Sequence, residues 1–479
     1  MKTVLSALIL LLSLCWLVPA AHAEGPGGRD LPPGLQIPDA ARPGPQFDVD
    51  RATEAYLDLL SPAQRTQSDA YFEGGYWIRL WQLLYGFGVA AVLLFSGLSR
   101  RMRDLARRLA RWRWLQTTLY AVFWLLAGFV LDLPLTVYTD FVREHQYGLA
   151  TQDFAGWFGD QIKALVVTLV VAPLMLALLY GAVRRAGARW WIWASGISFV
   201  FLLFTIMLSP VFVEPLFNTY KPLRDGEMRQ SILSLAHANQ IPTDNVVEFD
   251  ASKQTTRISA NVAGFAGTTR VALNDNLIEK TSLPEIKAVM GHEMGHYVLN
   301  HSLRLTIYLA LVLTFGFWFV HRLMDASLAR WGARFGLEDR ADPAALPLAV
   351  AILGLFFFLA TPITNSIVRQ AEAEADAFGL NAAREPNGFA MAAMRLSTYR
   401  KIHPGALEEI VFYDHPSGYA RVHASMQWLK ENQDNPTARA ALPAAKPAGS
   451  EAPRSKPAES EAAQPATPAP AESKPAESK

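Results

Sequence analysis

The chain has 479 residues, which is enough for several domains or for one large membrane protein. Its formal net charge is only +1, and this lack of a cationic bias argues against nucleic-acid binding, which requires clustered basic surface. Hydrophobic residues make up 51% of the chain and the mean hydropathy is +0.13, so the apolar residues must be concentrated in particular segments.

The first apolar segment, residues 1–25, is "MKTVLSALILLLSLCWLVPAAHAEG". Lys2 gives a positive start, an apolar centre follows, and the small-x-small pattern at residues 21–23 is typical of a cleavage site. We therefore predict that residues 1–23 are a signal peptide; the alternative is an uncleaved first membrane helix. Cys15 is the only cysteine, so cleavage would leave a mature protein without a disulfide.

Six further segments are apolar over about 20 residues, the length needed to cross a bilayer core. They are residues 77–98, 115–137, 162–181, 190–208, 303–321 and 346–367. We therefore predict a mainly α-helical, polytopic membrane protein with about six to seven transmembrane helices.

Arginines predict which side each connection faces. Residues 99–114, "SRRMRDLARRLARWRW", hold seven arginines against one aspartate, and residues 184–189, "RRAGAR", are also basic. By the positive-inside rule these connections are cytoplasmic, so residues 212–300 and the chain after about residue 368 face the other side. An export signal predicts the same orientation. We predict a bacterial inner-membrane protein whose extramembrane domain faces the periplasm.

The pattern that carries chemistry is "GHEMGHYVLNH" at residues 291–301. It lies at the end of residues 282–299, "SLPEIKAVMGHEMGHYVL", for which apolar residues at helical spacing predict a helix. Ser282 is a candidate N-cap and Glu285 its capping-box partner.

The two histidines of this helix predict a zinc site. His292 and His296 are four residues apart and share one helix face, and two neutral imidazoles on one face suit a tetrahedral zinc ion. Glu293 is placed to act as general base on a water whose pKa the metal lowers to about 7. The alternative is a helix with solvated histidines at a membrane edge.

A third ligand is needed, and His301 is a poor candidate. It is five residues past His296, which places it about 140° around a continuous helix. We interpret His301 as a helix-end residue at the membrane interface.

Carboxylates after the last span are better candidates. Residues 365–379, "NSIVRQAEAEADAFG", are helical by composition and carry Glu372, Glu374 and Asp376. Glu372 and Asp376 share a face, whereas Glu374 points away and fits a solvated face. A set of two histidines and Glu372 would leave the fourth zinc position to water, as hydrolysis requires. Asp376 could then accept a hydrogen bond from a ligand histidine.

These residues resemble a known family. "AVMGHEMGHYVLNH" followed by "RQAEAEAD" resembles the M48 metallopeptidases, and within them the Ste24 type, the type I CAAX prenyl proteases. Three further segments also resemble that family: "EHQYG" at 144–148, "PLFNTYKPLRDGEM" at 215–228, and "VALNDNLI" at 271–278, which resembles its strand before the zinc helix. The similarity covers roughly residues 53–430.

The resemblance implies a barrel of membrane helices around a hydrated chamber, capped by a zinc-metallopeptidase domain with a small β-sheet. It implies one zinc per chain, held by His292, His296 and Glu372, with Glu293 as the catalytic base and Asp376 as hydrogen-bond partner of a ligand.

In two more segments, the resemblance to the family assigns functions to individual residues. "DHPSGYAR" at 414–421 implies that His415 stabilises the oxyanion, and that Arg421 supplies a supporting charge. "RISANVAG" at 257–264 keeps Asn261 of the family's substrate-pairing strand, but has Ser259 where that strand often has histidine. An extended peptide could still pair beside residues 259–263.

The predicted function is an integral-membrane zinc endopeptidase that cleaves peptide or protein substrates, membrane-anchored ones included. One alternative is quality control of membrane proteins, as in the heat-shock members of M48. Another is a non-enzymatic transporter or metal-binding scaffold, although transporters usually place charges at mid-bilayer.

The predicted spans and motifs divide the chain into seven segments. They are a signal peptide or first helix (1–23), an N-terminal extramembrane segment (24–76), membrane helices (77–211), the first part of the catalytic domain (212–302), two membrane helices (303–367), the second part of the catalytic domain (368–435) and a tail (436–479). We predict that the tail is disordered, because its Ala/Pro/Glu/Ser/Lys composition buries too little apolar surface to offset ordering entropy.

Overall fold

The computed structural model describes residues 30–264 and 268–434. The predicted signal peptide and the predicted disordered tail, residues 436–479, lie outside these ranges. Within them the chain is mainly helical with one small sheet, which confirms the predicted fold class.

The helices of the described ranges are α1 (Val49–Leu57), α2 (Pro62–Phe95), α3 (Leu98–Leu109), α4 (Arg113–Thr136), α5 (Arg143–Gln146), α6 (Phe154–Arg185), α7 (Trp190–Leu208), α8 (Glu227–Ala238), α9 (Asp275–Lys280), α10 (Leu283–Val298), α11 (His301–Ser327), α12 (Ala333–Phe335), α13 (Leu346–Ala383), α14 (Pro386–Leu396), α15 (Ala406–Phe412) and α16 (Gly418–Asn432). The strands are β1 (Tyr220–Pro222), β2 (Val246–Phe249), β3 (Ala260–Ala263) and β4 (Arg270–Asn274).

Six helical stretches of the described chain are long and apolar enough to cross a membrane. They are Pro62–Phe95, Arg113–Gln146, Phe154–Arg185, Gly187–Leu216, His301–Phe335 and Pro343–Ala383, and each overlaps one predicted span. Several extend beyond the apolar segment, because a polar sequence continues the helix. The first, for example, begins at Pro62, where Ser61 and Gln64 form a capping box.

The six spanning helices form a closed ring. Around it, α2 packs on α13, α13 on α11, α11 on α7, α7 on α6, α6 on α4, and α4 on α2. The last contact includes the Tyr85 hydroxyl, which donates to the Leu131 carbonyl at 2.7 Å. Only 6% of the apolar stretch of α6 or α7 is buried, so these helices expose one face outward and another toward the interior of the ring. The arrangement agrees with the predicted barrel.

The sheet has the strand order β1-β2-β4-β3, with β2 parallel to β4 and the other pairs antiparallel. Strand β4 is buried from Val271 to Asn274, and Val271 and Leu273 join a core with Ile286 and Met290 of α10. The segment that resembles a strand at 271–278 is a strand only to Asn274. There the side-chain oxygen accepts from the Leu277 N–H at 2.8 Å and starts α9.

A buried ion pair connects the N-terminal segment to α10. Arg395 of α14 donates to the fully buried Glu285 at 2.5 Å, and its other N–H groups donate to the carbonyls of Leu31, Pro32 and Gly34 at 3.0 to 3.1 Å. Because every partner of this guanidinium is an acceptor, the pair is satisfied without water. Residues 31–34 are thereby held against the first turn of α10.

Candidate metal centre

Helix α10 presents the histidine pattern, and its first turn is capped as predicted. The backbone N–H and the hydroxyl of Ser282 donate to the Glu285 carboxylate at 2.8 and 2.6 Å. Apolar residues of the opposite face, including Met290 and Met294, are fully buried under the sheet. The cap and the core together fix where His292 and His296 point.

Three glycines bring α10 and α13 close together. Gly291 and Gly295 of α10 face Gly379 and Ala375 of α13. A Cβ atom at Gly379 would lie 2.7 Å from the backbone nitrogen of His292, which is closer than real Cβ atoms come. The backbones therefore meet with no side chain between them, and Glu372 and Asp376 of α13 reach the histidines of α10.

The predicted ligands converge on one point. The Nε2 atoms of His292 and His296 are 3.1 Å apart, and the Glu372 carboxylate lies 3.3 Å from the first and 3.5 Å from the second. One ligand atom of each residue lies within 4.8 Å of the other two, and no other group of this kind occurs in the described residues.

The donor set fits a zinc ion. Two ligand atoms, each about 2.1 Å from a tetrahedral ion, lie about 3.4 Å apart, close to the separations seen here. The Glu372 Oε2 atom is buried and has no hydrogen-bond donor within the described chain. Burial lowers the pKa of His292, but its hydrogen bond to Asp376 and the nearby Glu372 carboxylate outweigh burial and raise that pKa to about 9. The carboxylates therefore favour positive charge at this position, which a bound cation would also provide.

The outward nitrogen of His292 is held by a carboxylate. Its Nδ1 lies 2.7 Å from Asp376, which in turn accepts two hydrogen bonds from Arg421 at 2.8 and 2.5 Å. All three side chains are buried. The resemblance implies that Arg421 is a supporting charge; in the structure its guanidinium donates to Asp376.

His301 is outside the ligand cluster and lies at a helix end, as predicted, but the predicted direction of its side chain, away from His296, was wrong. The prediction assumed a continuous helix, whereas α10 ends at Val298 and Asn300 adopts a left-handed conformation with φ of 53°. This break turns the chain back, and His301 is only 1% exposed, with its Nδ1 2.9 Å from His296 Nδ1. Glu374, interpreted as solvated, lies 3.2 Å from His301 Nε2.

His415 reaches the cluster from the last part of the chain. Its Nε2 lies 3.2 Å from Glu372, and its Nδ1 lies 2.8 Å from Asp414. Burial alone would raise the pKa of Asp414, but the hydrogen bond with His415 lowers it overall. Asp414 is thus a carboxylate that orients the His415 ring, a contact that the sequence did not identify.

Glu293 faces a cavity of about 600 Å³. The walls include His292, His415 and Arg400, together with Ala260 at the start of β3 and Ser259 directly before it. Burial raises the pKa of the Glu293 carboxyl, and the nearby imidazoles offset this only in part. A carboxyl of raised pKa beside a metal-binding cluster is suited to accept and return a proton.

Strand β3 forms one edge of the sheet beside this cavity. Asn261 pairs with Ala272 of β4, and its side-chain oxygen is buried with no hydrogen-bond partner among the described residues. Asn261 therefore lies next to the cavity wall, one position beyond Ala260.

The sequence matches two family models. Residues 222–429 match "Peptidase family M48", and residues 50–219 match "CAAX prenyl protease N-terminal, five membrane helices". Together the matched ranges contain all the residues of the cluster.

Individual proteins agree with these matches. "Uncharacterized metalloprotease YhfN" of Bacillus subtilis is 31% identical over 348 residues, which cover 72% of this chain and 81% of that protein. CAAX prenyl protease 1 of Saccharomyces cerevisiae is 28% identical over 322 residues, covering 64% and 71%. The crystal structure of S. mikatae Ste24p has a TM-score of 0.63 at 20% identity, covering 88% of this chain and 96% of that one, which supports the fold.

Proposed function

This chain belongs to peptidase family M48 and is a multi-pass membrane metalloprotease, and from this premise we propose that it is a zinc endopeptidase. The observation that carries the proposal is the convergence of His292, His296 and Glu372 at one wall of the cavity that Glu293 faces. Substrates would be peptide segments of proteins, membrane-anchored ones included, that enter this cavity.

We assign the three converging residues to one zinc ion per chain. When bound, zinc supplies a Lewis acid that polarises the substrate carbonyl and lowers the pKa of water. Glu293 takes a proton from the attacking water and returns it to the leaving amine. Its raised pKa supports this role, because an ordinary carboxyl would be too weak a base near neutral pH.

His415 is assigned to the oxyanion. Asp414 orients the ring through Nδ1, so that Nε2 points toward the ligand cluster. When both ring nitrogens carry a proton, Nε2–H can donate to the carbonyl oxygen as negative charge develops on it. Asp376 and Arg421 do not touch the substrate in this proposal; they hold the His292 ring.

The edge of β3 is the proposed substrate strand. Ser259 and Ala260 line the cavity beside Glu293, so an extended peptide could add to this edge with its scissile bond near the cluster. Asn261 is placed to support that strand.

We propose an inner-membrane location with the active site on the periplasmic side. The arginine-rich ends of α3 and α6 support this orientation by the positive-inside rule. Relatives are named for CAAX prenyl substrates. Because prenylated proteins are not expected in the periplasm, we assign this chain unprenylated peptide segments. Its membership of a peptidase family argues against the transporter and scaffold alternatives.

Removing the metal is expected to abolish peptide hydrolysis by the detergent-solubilised protein, and one equivalent of Zn²⁺ should restore it. The reason is that zinc would supply the Lewis acid that polarises the substrate carbonyl and lowers the pKa of water. Cleavage of a quenched fluorescent peptide library, measured with elemental analysis of bound metal, provides the test. The control is the His296→Ala variant, which should bind no metal and gain nothing from Zn²⁺. Full hydrolysis by metal-free protein would contradict the proposal.

A further inference from the structure

A second large cavity, of about 1430 Å³, lies at an arginine-rich end of the helical ring. It is bounded by the start of α4, the end of α6 and the start of α7. Helix α7 begins here and ends beside the catalytic domain, so the cavity and the metal centre are at opposite ends of the helical ring. Nothing in the proposed peptidase mechanism uses it.

The rim of this cavity is cationic. Arg111, Arg113, Arg184 and Arg185 line it, and within the described residues none of the four forms an ion pair with a carboxylate. Only Arg184 has a side-chain hydrogen bond in that part of the chain, to the Thr117 hydroxyl at 3.1 Å. Four like charges around one cavity repel one another unless an anion lies between them.

Two arginines of the neighbouring helix α3 are paired with acids. Arg103 pairs with the buried Asp342 at 2.5 Å, and Arg107 pairs with Glu338 at 2.6 Å. No acidic residue lines the cavity, so its four arginines have no such partner there.

Below the rim the cavity is apolar. Leu174, Leu178 and Trp193 line it and are 54%, 53% and 64% exposed. Trp112 and Trp114, whose rings stack 6.3 Å apart, stand between the arginines. Tryptophan prefers the depth of the lipid headgroups, so the cationic rim lies at headgroup level and the apolar walls at acyl-chain level.

We propose that this cavity is a binding site for an anionic phospholipid. The arginines would bind the phosphate and any further anionic group of the headgroup. The groove between α6 and α7 would hold an acyl chain. Charge complementarity selects this occupant over a zwitterionic lipid, and the continuous apolar wall selects it over free phosphate.

Native mass spectrometry of the full chain tests the site with phosphatidylglycerol, phosphatidylcholine and inorganic phosphate as separate probes. The affinity for phosphatidylglycerol should be well above the affinity for phosphatidylcholine. The double variant Arg111→Gln/Arg184→Gln should bind phosphatidylglycerol about 25-fold more weakly, at roughly fivefold per arginine. The matched control is Arg101→Gln/Arg108→Gln, which removes equal charge from the exposed face of α3 outside the cavity.

Three results would overturn the proposal. They are equal binding of the two lipids, equal loss in the two double variants, and displacement of phosphatidylglycerol by inorganic phosphate alone. The first two would indicate general attraction to the membrane surface, and the third would indicate a phosphate site.

An independent observation concerns His301 and Glu374. The two facing Nδ1 atoms of His296 and His301, 2.9 Å apart, can share only one proton. His301 Nε2 faces the Glu374 carboxylate at 3.2 Å and must carry a proton there, which leaves His301 Nδ1 as the acceptor. His296 Nδ1 then donates, and the lone pair of His296 Nε2 is directed into the ligand cluster.

Glu374 is itself held in place. Arg304 donates to it at 2.7 Å and Gln370 at 3.2 Å. We infer that His301 and Glu374 are positioning residues that set the tautomer and orientation of His296. This inference rests on the proposed zinc site. His292 is oriented by a carboxylate directly, because its Nδ1 contacts Asp376. His296 is oriented indirectly, through His301.

Zinc affinity, measured by competition with a chelator, tests this inference. His301→Leu should weaken zinc binding about 10- to 100-fold, the usual effect of losing such a partner. His301→Gln should recover most of the loss, because its amide oxygen can accept from His296 Nδ1–H. The Co²⁺-substituted protein should show an altered visible spectrum in His301→Leu alone. His237→Ala, an exposed histidine of α8, is the control.

Unchanged affinity in His301→Leu, or equal loss in both His301 variants, would overturn the inference. If the His301 variants do not fold, Glu374→Ala provides the same test at a side chain that is 31% exposed. Failure of the proposed function would appear differently, as wild-type protein that binds zinc without hydrolysing peptides.

Discussion

Replacing Glu293 by Gln is expected to reduce peptide hydrolysis by about 100- to 10,000-fold, the range typical of losing a general acid–base group. The amide keeps the size of the side chain but cannot accept the proton of the attacking water. His292, His296 and Glu372 are unchanged, so the variant should bind one zinc like the wild type. Turnover of a fluorescent peptide and elemental analysis of the same samples provide the measurement.

The control for this variant is Glu227→Gln, which makes the same chemical change on an exposed residue of α8. Its activity should equal that of the wild type. A Glu293→Gln protein that retains zinc and full activity would rule out Glu293 as the base. One that loses zinc would indicate that this carboxylate stabilises the cluster instead.

The local part of the site was predictable from sequence because helical geometry is regular. His292 and His296 share a face at i and i+4, and the capping box of Ser282 and Glu285 sets where their helix begins. The six spans were predictable for a similar reason, since crossing a bilayer needs about 20 apolar residues. Only their ends differ, because hydropathy does not detect helix that continues outside the membrane.

Contacts between distant segments were harder to predict. Glu372 was selected among three nearby acids by helix spacing, and by its resemblance to a known pattern. The direction of the His301 side chain was predicted wrongly, because the left-handed residue Asn300 ends one helix before the next begins, and helical periodicity does not contain such a break. The role of Asp414 depends on His415, whose own position depends on how the last helices pack.

The glycine contacts that bring α10 and α13 together were not predicted. A glycine within a helical segment ordinarily lowers helix stability and gives no hint of what lies opposite it. Gly379 has a function only because His292 of another helix lies against it. Such a contact depends on two segments that are distant in sequence, so the pattern of either segment alone does not predict it.

Gly379→Ala is therefore expected to damage the metal site without touching a ligand. The added methyl group would lie 2.7 Å from the His292 nitrogen, on backbone that cannot move aside as a flexible side chain can. Separating the helices should cost about 1–3 kcal/mol of unfolding free energy, as overpacking usually does. It should also draw Glu372 away from His292 and His296, so that zinc affinity and hydrolysis fall together.

The same helix supplies the matched control. Gly354 of α13 has nothing within 4 Å of a Cβ at its position, so Gly354→Ala makes the same change where there is room for it. Thermal unfolding in detergent, chelator competition and peptide cleavage should all leave Gly354→Ala near the wild type and separate it from Gly379→Ala. Equal behaviour of the two variants would mean that the helices can move apart without disturbing the ligands. The proximity of α10 and α13 would then not be what assembles the site.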